Sequence, residues 1–530
     1  MGQKMQPKTK KKRKKTMNNG TILWADDEID LLKPHIMFLK QKGYDVVTVN
    51  NGRDALDAAE TANFDLIILD ENMPGISGLE TLSRIKISNP EVPVIMITKS
   101  EEENIMNQAI GNKIADYLIK PVNPNQILLS IKKNLHSGTL VSQKASLDYQ
   151  QEFRNISMLI NSASSFEEWC EVYRMLVHWE LTLASTDTNM DEMLRMQKIE
   201  ANSEFAKFVK KNYEKWVTTD VHPLMSHEIF KKKVFPLLDA GEKVFFIVID
   251  NFRLDQWRMV KPLLSEYFTI DDDDLYCSIL PTATQYARNA IFSGLMPIHI
   301  AKMFPNLWVD EDEDEGKNLN ESPLIRTILD RYRKHYRFSY NKLNDSQAGE
   351  KLLNNFNNLM VNDLNVLVIN FVDMLSHART ESKMIRELAY SDAAYRSLTE
   401  SWFRHSATIE IFKRIAEKGF RVVLTTDHGT VRVDSPIKVV GEKSTNTNLR
   451  YKLGRNLSYN PKQVYEIKRP EAFGLPQPNI STAYIFATNR DFIAYPNNYN
   501  YYVQYYNNTF QHGGISLEEM VVPVVTMSKR

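Results

Sequence analysis

Aspartate and histidine residues with the spacing of metal ligands occur in four separate stretches of the C-terminal half of this 530-residue chain. They are Asp250, Asp373 with His377, Asp427 with His428, and His512. A candidate nucleophile, Thr284, lies between the first two stretches. Six such ligands suffice for two adjacent divalent metal ions, and a nearby hydroxyl can attack phosphorus to form a covalent intermediate. The pattern therefore predicts a phosphoryl-transfer enzyme in this half of the chain.

Apolar runs with the composition of buried β-strands precede three of these stretches. They span residues 244–249, 366–372 and 420–424, and each leads into an aspartate of the set, the last through two threonines. Continuous apolar runs of this length are typical of parallel strands buried on both faces. Acids at the C-terminal ends of such strands lie on the edge where open α/β sheets bind ligands. The sequence therefore predicts one sheet that collects the three aspartates.

The spacing and the ligand types also bear on the metal. Asp373 and His377 are four residues apart, so a helix that starts at the strand end would turn both toward one ion. Carboxylates and imidazoles, with no cysteine nearby except Cys277, favour zinc, with manganese as the alternative. Taken singly, each stretch also has a structural explanation, because an Asp after a strand is commonly a helix N-cap and His512 could simply mark a turn. The joint occurrence favours the metal site.

The same residues resemble the alkaline phosphatase superfamily, and most closely its PglZ branch, over roughly residues 226–530. The similarity is carried by Pro-Thr-Ala-Thr at 281–284, Ser-Gly-Leu-Met-Pro at 293–297, and the stretch from His512 to Pro523. The resemblance implies that Thr284 is the nucleophile. It also implies two zinc sites, one formed by Asp250, Thr284, Asp427 and His428, the other by Asp373, His377 and His512.

Two departures from related patterns concern the substrate. Family phosphodiesterases often carry an Asn three residues after the nucleophile, whereas this chain has Ala287, followed by Arg288 and Asn289. The sequence thus leaves the oxyanion-stabilising residue open. The sulfatase signature Cys-x-Pro-x-Arg is absent, so sulfate ester hydrolysis is not expected. Monoesterases, diesterases and mutases share the same metal ligands, so the residues alone do not select among them.

A second set of chemistry-bearing residues lies in the N-terminal part. Short apolar strands lead into the acidic pair Asp26-Asp27, into Asp70, into Thr98 and into Lys120. Strands that alternate with helical stretches predict a parallel α/β sandwich. Three carboxylates can hold Mg²⁺, a hydroxyl and an ammonium can contact a phosphoryl group, and an aspartate can accept it. The alternative is an ordinary doubly wound domain whose acids cap helices.

This set resembles a two-component receiver domain over roughly residues 19–138. The resemblance implies that Asp70 is the phospho-acceptor. It implies that Mg²⁺ binds at Asp26, Asp27, Asp70 and the carbonyl of Asn72. It also implies that Thr98 and Lys120 contact the phosphoryl group, and that Tyr117 is the aromatic switch residue.

A helical connector is predicted between these domains, at 139–225. Helical patterns cover 147–160, 165–183 and 191–216, with a polar break at 185–189. The second begins with a capping box, Ser165-Phe-Glu-Glu168. Three helices of this length could form a small bundle that relays the receiver state, and a passive spacer is the alternative. The fold class expected for the chain is α/β: a receiver-type doubly wound parallel sheet, a small three-helix bundle and a larger alkaline-phosphatase-like α/β domain.

Composition sets further limits. Residues 1–18 are predicted to be a disordered basic tail, because residues 1–15 hold eight Lys or Arg and no acid. Contact with nucleic acid or anionic lipid is the alternative. The two cysteines fall in different predicted domains, so no disulfide framework is expected. No apolar run approaches the ~20 residues of a membrane span, and no secretory signal is evident. We expect a cytoplasmic protein.

Two segments bear on substrate recognition. The basic segment 438–455 could line a groove for phosphates or be a solvated loop. Tyrosines and asparagines crowd residues 496–508, where rings could stack on bases or pack on a loop.

The domain order resembles a family of response regulators linked to type IX secretion. That resemblance implies a sensor histidine kinase, the cytoplasmic part of a secretion motor protein and an extracytoplasmic-function sigma factor as partners. It further implies a zinc phosphodiesterase acting on nucleotide or oligonucleotide substrates. Fusion of a receiver to an enzyme predicts a homodimer on phosphorylation. A phosphorylation-controlled docking module with little catalysis is the alternative. Sequence-specific DNA binding is not expected, because no helix-turn-helix pattern stands out.

Overall fold

The structure, a computed structural model, describes residues 19–99, 103–111, 113–184, 190–310, 318–441 and 447–530. The predicted basic tail and the polar break at 185–189 lie outside the described residues. The chain divides into two compact units, one through Leu147 and the other from Asp148 onward. None of the described helices is both long and apolar enough to cross a membrane.

The first unit is a parallel sheet in the order β2-β1-β3-β4-β5 with helices between the strands. Its strands are β1 Thr21–Ala25, β2 Asp45–Val49, β3 Leu66–Leu69, β4 Val94–Thr98 and β5 Asp116–Ile119. Its helices are α1 Lys33–Gln41, α2 Gly52–Thr61, α3 Gly78–Ser88, α4 Glu103–Gly111 and α5 Pro124–Leu135; α6, Ser137–Ser162, contains the division between the units.

The strands of this sheet are apolar throughout because they have two buried faces. In β1, Leu23 packs in one core while Ile22 and Trp24 pack in the other. Successive side chains of a strand point to opposite faces, so both sets must be apolar. The predicted doubly wound parallel sheet is confirmed.

The main sheet of the second unit has the order β7-β18-β10-β6-β9-β8. β10, β6, β9 and β8 are parallel, and β18 and β7 are antiparallel additions at one side. The strands of this unit are β6 Val244–Ile249, β7 Phe268–Cys277, β8 Phe338–Leu343, β9 Leu364–Ile369, β10 Arg421–Thr425, β11 Val431–Arg432, β12 Ser435–Lys438, β13 Tyr451–Gly454, β14 Val464–Ile467, β15 Ala483–Ala487, β16 Asp491–Ala494, β17 Phe510–Gln511 and β18 Val521–Lys529.

Helices surround this sheet, in keeping with the predicted larger α/β domain. They are α7 Phe166–Ala184, α8 Asp191–Thr218, α9 Phe235–Asp239, α10 Leu254–Ser265, α11 Thr284–Ser293, α12 Pro297–Met303, α13 Glu321–Arg331, α14 Ser346–Asn354, α15 Phe371–Glu381, α16 Lys383–Leu388, α17 Asp392–His405, α18 Ala407–Glu417, α19 Tyr499–Tyr506 and α20 Leu517–Met520. Short 3₁₀ turns span Ile29–Leu32, Ser226–Glu228, Phe356–Leu359 and Pro470–Phe473, and a π-helical turn spans Phe230–Val234.

The helices predicted at 165–183 and 191–216 are present as α7 and α8. The capping box forms as predicted, since the Glu168 amide donates to Ser165 Oγ (3.2 Å) and the Ser165 amide donates to Glu168 Oε2 (3.0 Å). Phe205, Val209 and Tyr213 on one stripe of α8 are fully buried. Both helices belong to the second unit, so they are part of the body that holds the candidate metal ligands.

Candidate active site and acidic pocket

Neighbouring parallel strands bring the three aspartates of the second unit to one sheet edge. Asp250 directly follows β6, Asp427 comes two residues after β10, and Asp373 lies in the first turn of α15, which follows β9. The apolar run at 366–372 is only partly strand, because β9 ends at Ile369 and α15 begins at Phe371. Val372 is fully buried as a helix residue, so burial keeps the run apolar across the junction. The predicted common edge of the sheet is confirmed.

One cluster at this edge consists of Asp373, His377 and His512, with ligand atoms within 4.8 Å of one another. Nε2 of His377 lies 3.4 Å from Asp373 Oδ2, and Nε2 of His512 lies 3.7 Å from Asp373 Oδ1. The predicted i,i+4 pair therefore does share one face of α15. The His377 side chain is 62% exposed, so this cluster is open to solvent.

The other cluster consists of Asp250, Asp427 and His428, and all three residues are buried. Nε2 of His428 lies 3.8 Å from a carboxylate oxygen of each aspartate. The rings of His428 and His512 stack with their centroids 4.2 Å apart, so the two clusters are direct neighbours. The six candidate ligands thus meet at one place, in the two groups that the family resemblance implies.

Thr284 stands beside the buried cluster. It is the first residue of α11, and its Oγ1 lies 3.1 Å from His428 Nε2 and 3.5 Å from Asp250 Oδ1. Thr282 ties the preceding loop to the His512 loop, since its Oγ1 donates to Gly514 O (2.8 Å) and accepts from Gly513 N (3.1 Å). The free N–H groups at the start of a helix bind phosphate oxygens well. The candidate nucleophile, the candidate metal ligands and the N–H groups at the start of α11 therefore lie close together.

Backbone carbonyls fix the protonation of two imidazoles. Nδ1 of His428 lies 3.1 Å from Gly429 O, and Nδ1 of His512 lies 3.2 Å from Thr282 O. A carbonyl oxygen can only accept, so each Nδ1 carries the proton and each Nε2 keeps its lone pair for the cluster. Burial lowers the pKa of both histidines to about 4, which keeps them neutral at pH 7. Neutral imidazole is the form that binds metal.

The negative charges of the three carboxylates are balanced by nearby positive charge to different degrees. Burial opposes ionisation of Asp250, but Arg288 and His428 outweigh it and hold its pKa below the usual value. Burial and the neighbouring Asp250 raise the pKa of Asp427. Burial and Asp250 likewise raise the pKa of Asp373. Among the described residues, Asp427 Oδ2 has no hydrogen-bond partner. The cluster therefore has the electrostatics of a cation site.

The sequence analysis did not identify two residues, Asn251 and Arg288, that contact the candidate ligands and position them. Asn251 has φ +64°, and its Nδ2 lies 3.2 Å from Asp373 Oδ1 and its amide 3.3 Å from Asp427 Oδ1. Asn tolerates this left-handed conformation better than most residues. Nη1 of Arg288 lies 2.7 Å from Asp250 Oδ2, and its Nε lies 2.6 Å from Glu321 Oε1. Two carboxylates thus occupy the guanidinium next to the position where an oxyanion-binding Asn was expected.

Helix α8 contacts two loops of the candidate active site. The buried Tyr213 hydroxyl accepts from Leu280 N (2.7 Å), four residues before Thr284. The buried Asn202 accepts from Leu517 N (2.7 Å) and donates to Glu518 Oε2 (2.9 Å). A Cβ at Gly429 would lie 1.9 Å from Glu518 O, so the residue after His428 must be glycine. α8 therefore supports the segments on both sides of the ligands.

The first unit collects its predicted residues at one acidic pocket. Asp26, Asp27 and Asp70 have carboxylate oxygens within 4.8 Å of one another. Lys120 Nζ lies 2.8 Å from Asp26 Oδ2 and 2.7 Å from Asp70 Oδ2. Burial raises the pKa of Asp70 although Lys120 opposes this. A Cβ at Gly78 would lie 2.3 Å from Asp70 O, which explains the glycine at the first position of α3.

The remaining predicted residues of this pocket surround it. Thr98 is buried at the end of β4, and its carbonyl accepts from Lys120 N at 2.8 Å. Tyr117 lies in β5, half-buried, and Asn72 is exposed two residues after Asp70. The three carboxylates, the Thr98 hydroxyl, the Lys120 ammonium and the Tyr117 ring are therefore all provided by residues at or near the same edge of the sheet.

The structure describes the two segments considered for substrate recognition to different extents. Residues 442–446 of the basic segment lie outside the described residues. Arg450 and Lys452 are buried, and Arg450 pairs with Glu519 at 2.6 Å, so these two cations are neither a solvated loop nor a phosphate groove. The tyrosine-rich segment contains α19, in which Tyr501 stacks on Tyr505 and Tyr502 on Tyr506.

Comparison with known families matches three consecutive parts of the chain. Residues 229–527 match the BREX system PglZ alkaline phosphatase-like domain. Residues 139–217 match the PorX response regulator linker domain, and residues 22–132 match the response regulator receiver domain.

Individual relatives share a shorter region. The Bacillus subtilis transcriptional regulatory protein ResD is 33% identical over 125 residues, 24% of this chain and 52% of ResD. The alginate biosynthesis transcriptional regulatory protein AlgB of Pseudomonas syringae pv. tomato is 32% identical over 133 residues, 25% of this chain and 30% of AlgB. The chain therefore spans about half or less of these relatives. Among solved structures, Thermotoga maritima TrrA in complex with Mg²⁺-BeF is 31% identical, with 22% of this chain and 98% of that chain covered and a TM-score of 0.21.

Proposed function

Because the chain belongs to the PglZ family of alkaline phosphatase-like proteins and carries a receiver domain and a PorX-type linker ahead of that domain, we propose that it is a response regulator controlling a two-zinc phosphodiesterase. The substrates we propose are nucleotide-type phosphodiesters, including short oligonucleotides. The observation that carries the proposal is the position of Thr284 Oγ1, 3.1 Å from His428 Nε2, at the junction of two carboxylate-imidazole clusters.

The donor set fits zinc. Each cluster combines carboxylate oxygens with imidazole Nε2 atoms, which zinc accepts in catalytic sites. The backbone carbonyls at Nδ1 of His428 and His512 are the outer contacts typical of metal-binding histidines. Asp250, Thr284, Asp427 and His428 would hold one ion, and Asp373, His377 and His512 the other. Zinc ions bound there would supply positive charge for the phosphoryl oxygens and favour the Thr284 alkoxide.

The proposed reaction consists of two successive displacements at phosphorus. Thr284 Oγ1 attacks phosphorus, an O–P bond to Thr284 forms, and the P–O bond to the leaving alcohol breaks as that alcohol takes a proton. Water then attacks the phosphothreonine, which releases a phosphomonoester and restores the hydroxyl. The N–H groups at the start of α11 orient the non-bridging oxygens. Asn251 and Arg288 keep the Asp373 and Asp250 carboxylates in place.

Removal of the Thr284 hydroxyl tests this function. We expect Thr284→Ala in the zinc-loaded full-length protein to lower turnover of bis-p-nitrophenyl phosphate and short oligonucleotides at least about 1,000-fold. Metal analysis should still give about two zinc ions per chain, because the remaining six ligands are intact. Thr284→Ser, which keeps the hydroxyl, is the matched control and should retain measurable turnover. Unchanged activity of Thr284→Ala would remove this residue from the mechanism.

In this proposal, the receiver domain controls the activity of the C-terminal domain. A sensor kinase phosphorylates Asp70 with Mg²⁺ held by Asp26, Asp27 and the Asn72 carbonyl, and the phosphoryl group contacts Thr98 and Lys120. Phosphorylation favours a homodimer and changes access to the zinc site. The contacts of α8 with Leu280 and Leu517 support the connector as the route of this coupling. By the type IX secretion resemblance, a secretion motor protein and a sigma factor are the proposed cytoplasmic partners.

A docking module is the competing function, in which phosphorylation controls partner binding and the zinc site catalyses little. The same experiment separates the two. Wild-type protein that binds two zinc ions but hydrolyses neither mono- nor diesters would favour docking.

A further inference from the structure

The two clusters of the candidate active site differ in what holds their ligands together. In the buried cluster, Asp250 and Asp427 follow β6 and β10, two adjacent strands joined by a parallel backbone ladder. In the other cluster, here called the open cluster, Asp373 and His377 lie on α15, whereas His512 follows β17. Among the described residues, no backbone hydrogen bond joins α15 to residues 508–512. Since the backbone bonds of a helix are internal, side chains have to set the distance between α15 and the His512 segment.

Arg379 is one side chain that makes this connection. It lies on α15, two residues after His377, and is buried. Its Nη1 donates to the carbonyl of Asn508. Its guanidinium carbon lies 5.0 Å from the centre of the Phe510 ring, within the range of a cation–π contact. Because Phe510 precedes His512 by two residues, Arg379 attaches the helix that carries two of the ligands to the segment that carries the third.

Tyr395 makes a second connection from α17. Its side chain is fully buried, and its hydroxyl donates to the carbonyl of Val372 at 2.9 Å, directly before Asp373. Its ring stacks on Phe510, with centroids 4.2 Å apart and planes 22° from parallel. Tyr395 therefore ties the first turn of α15 to the same aromatic ring that Arg379 contacts from the last turn of that helix.

We propose that Arg379 and Tyr395 are positioning residues that set the affinity of the open cluster for its metal ion. They would do so by holding His512 at coordinating distance from the two ligands on α15. This inference rests on the proposed two-zinc function. His512 Nε2 lies 3.7 Å from Asp373 Oδ1, and zinc accepts nitrogen and oxygen ligands at about 2.0–2.2 Å, so a small shift of the Phe510 segment would spoil the fit. The buried cluster is held by its strand ladder and does not depend on these two side chains.

Stepwise zinc binding to the metal-free full chain, measured by competition with a chromophoric chelator, tests the proposal. Arg379→Lys keeps the charge but loses the planar fork of N–H donors. We expect it to weaken the binding of one zinc ion about tenfold and to leave the other unchanged, in the lower range of what outer contacts of metal ligands contribute. Arg404→Lys is the matched control, because Arg404 is an exposed arginine of α17 paired with Glu400 at 2.9 Å. It should bind both ions as the wild type does.

Tyr395→Phe is the second variant. It keeps the stacked ring and removes only the hydrogen bond to Val372, so it should weaken the same ion by a smaller factor, about threefold. This variant also keeps the proposal testable if Arg379→Lys does not fold.

His377→Ala identifies which ion is affected. It removes a ligand of the open cluster, so the ion that this variant binds more weakly is the one held there. With His377→Ala in place, adding Arg379→Lys should leave the remaining ion as tightly bound as before, because both changes act on the same site and their effects are not additive.

The outcomes separate this inference from the function on which it rests. Unchanged zinc affinities in Arg379→Lys and Tyr395→Phe, or equal weakening of both ions, would overturn the positioning role and leave the proposed function standing. Wild-type protein that binds fewer than two zinc ions would overturn the proposed function, and the positioning role with it.

Discussion

The acidic pocket of the first unit and the candidate active site of the second unit are both built at the C-terminal edge of parallel strands, but they handle charge in opposite ways. In the pocket, Lys120 lies between Asp26 and Asp70 at 2.8 and 2.7 Å, and Asp27 is exposed. In the active site, the nearest fixed cation, Arg288, contacts Asp250 at 2.7 Å but stays 3.7 Å from Asp427.

We expect this difference to affect how firmly each site would hold the cation that the proposed function assigns to it. In the pocket, an ammonium already balances two acids, so Mg²⁺ would be needed less as a counter-charge. In the candidate active site, Arg288 balances Asp250 closely but Asp427 only at 3.7 Å, so a bound metal would supply positive charge that the buried acids otherwise lack. The proposed function therefore predicts a weakly held ion at the pocket and a firmly held ion at the candidate active site.

The largest effect is expected at the pocket. Asp70→Ala should abolish phosphoryl transfer from acetyl phosphate in the presence of Mg²⁺, because it removes the nucleophilic carboxylate. Phos-tag electrophoresis measures this directly. Asp57→Ala, which changes an exposed aspartate of α2, is the control and should shift like the wild type. A shifted band in Asp70→Ala would place the acceptor elsewhere.

The next largest effect is expected on metal removal, which should change the Tm by different amounts at the two sites. We expect a zinc chelator to lower the Tm of the full chain by about 5–10 °C, because bound metal stabilises the folded state by mass action and the buried acids lose their counter-charge. Removal of Mg²⁺ should shift it by less than about 2 °C, since Lys120 remains. Calorimetry with each ion restored in turn measures both shifts. Equal shifts would contradict the proposed difference between a firmly held and a weakly held ion.

A smaller effect is expected at Tyr213, which contacts Leu280 in the loop before Thr284. Tyr213→Phe leaves the Leu280 amide without its acceptor and should destabilise the protein by about 1–2 kcal/mol. It should lower kcat roughly tenfold through displacement of Thr284, with KM and zinc content nearly unchanged. Tyr501→Phe, at an exposed tyrosine of α19, is the matched control. A loss of stability with kcat intact would limit Tyr213 to a structural role.

The smallest effect concerns coupling between the sites. With a beryllofluoride phosphoryl mimic, we expect the mass measured by light scattering to approach that of a dimer and diester turnover to change by about two- to tenfold. The reason is that the phosphoryl group biases an existing equilibrium of the receiver through Thr98 and Lys120. If mass and rate both stay constant, the receiver serves docking instead.

The features that could be predicted from the amino-acid sequence are those that depend on local periodicity. Apolar runs located β6 and β10, the i,i+4 spacing placed Asp373 and His377 on one helix face, and the capping box located the start of α7. These features follow from backbone geometry, which repeats every two or 3.6 residues and is therefore readable along the chain.

The contacts between long polar side chains that are distant in sequence could not be predicted and became visible only in the folded protein. Glu321 holds Arg288 across 33 positions, Glu519 buries Arg450 across 69, and Asn202 reaches Glu518 across 316. Arg450 was a candidate phosphate ligand in the sequence analysis, but in the structure it is buried and forms an ion pair with Glu519. α8 was predicted as a helix of the connector, and the structure adds that its Tyr213 contacts Leu280 in the loop before Thr284. These pairs depend on which loops the folded sheet brings together. Local sequence patterns carry no information about contacts over such separations.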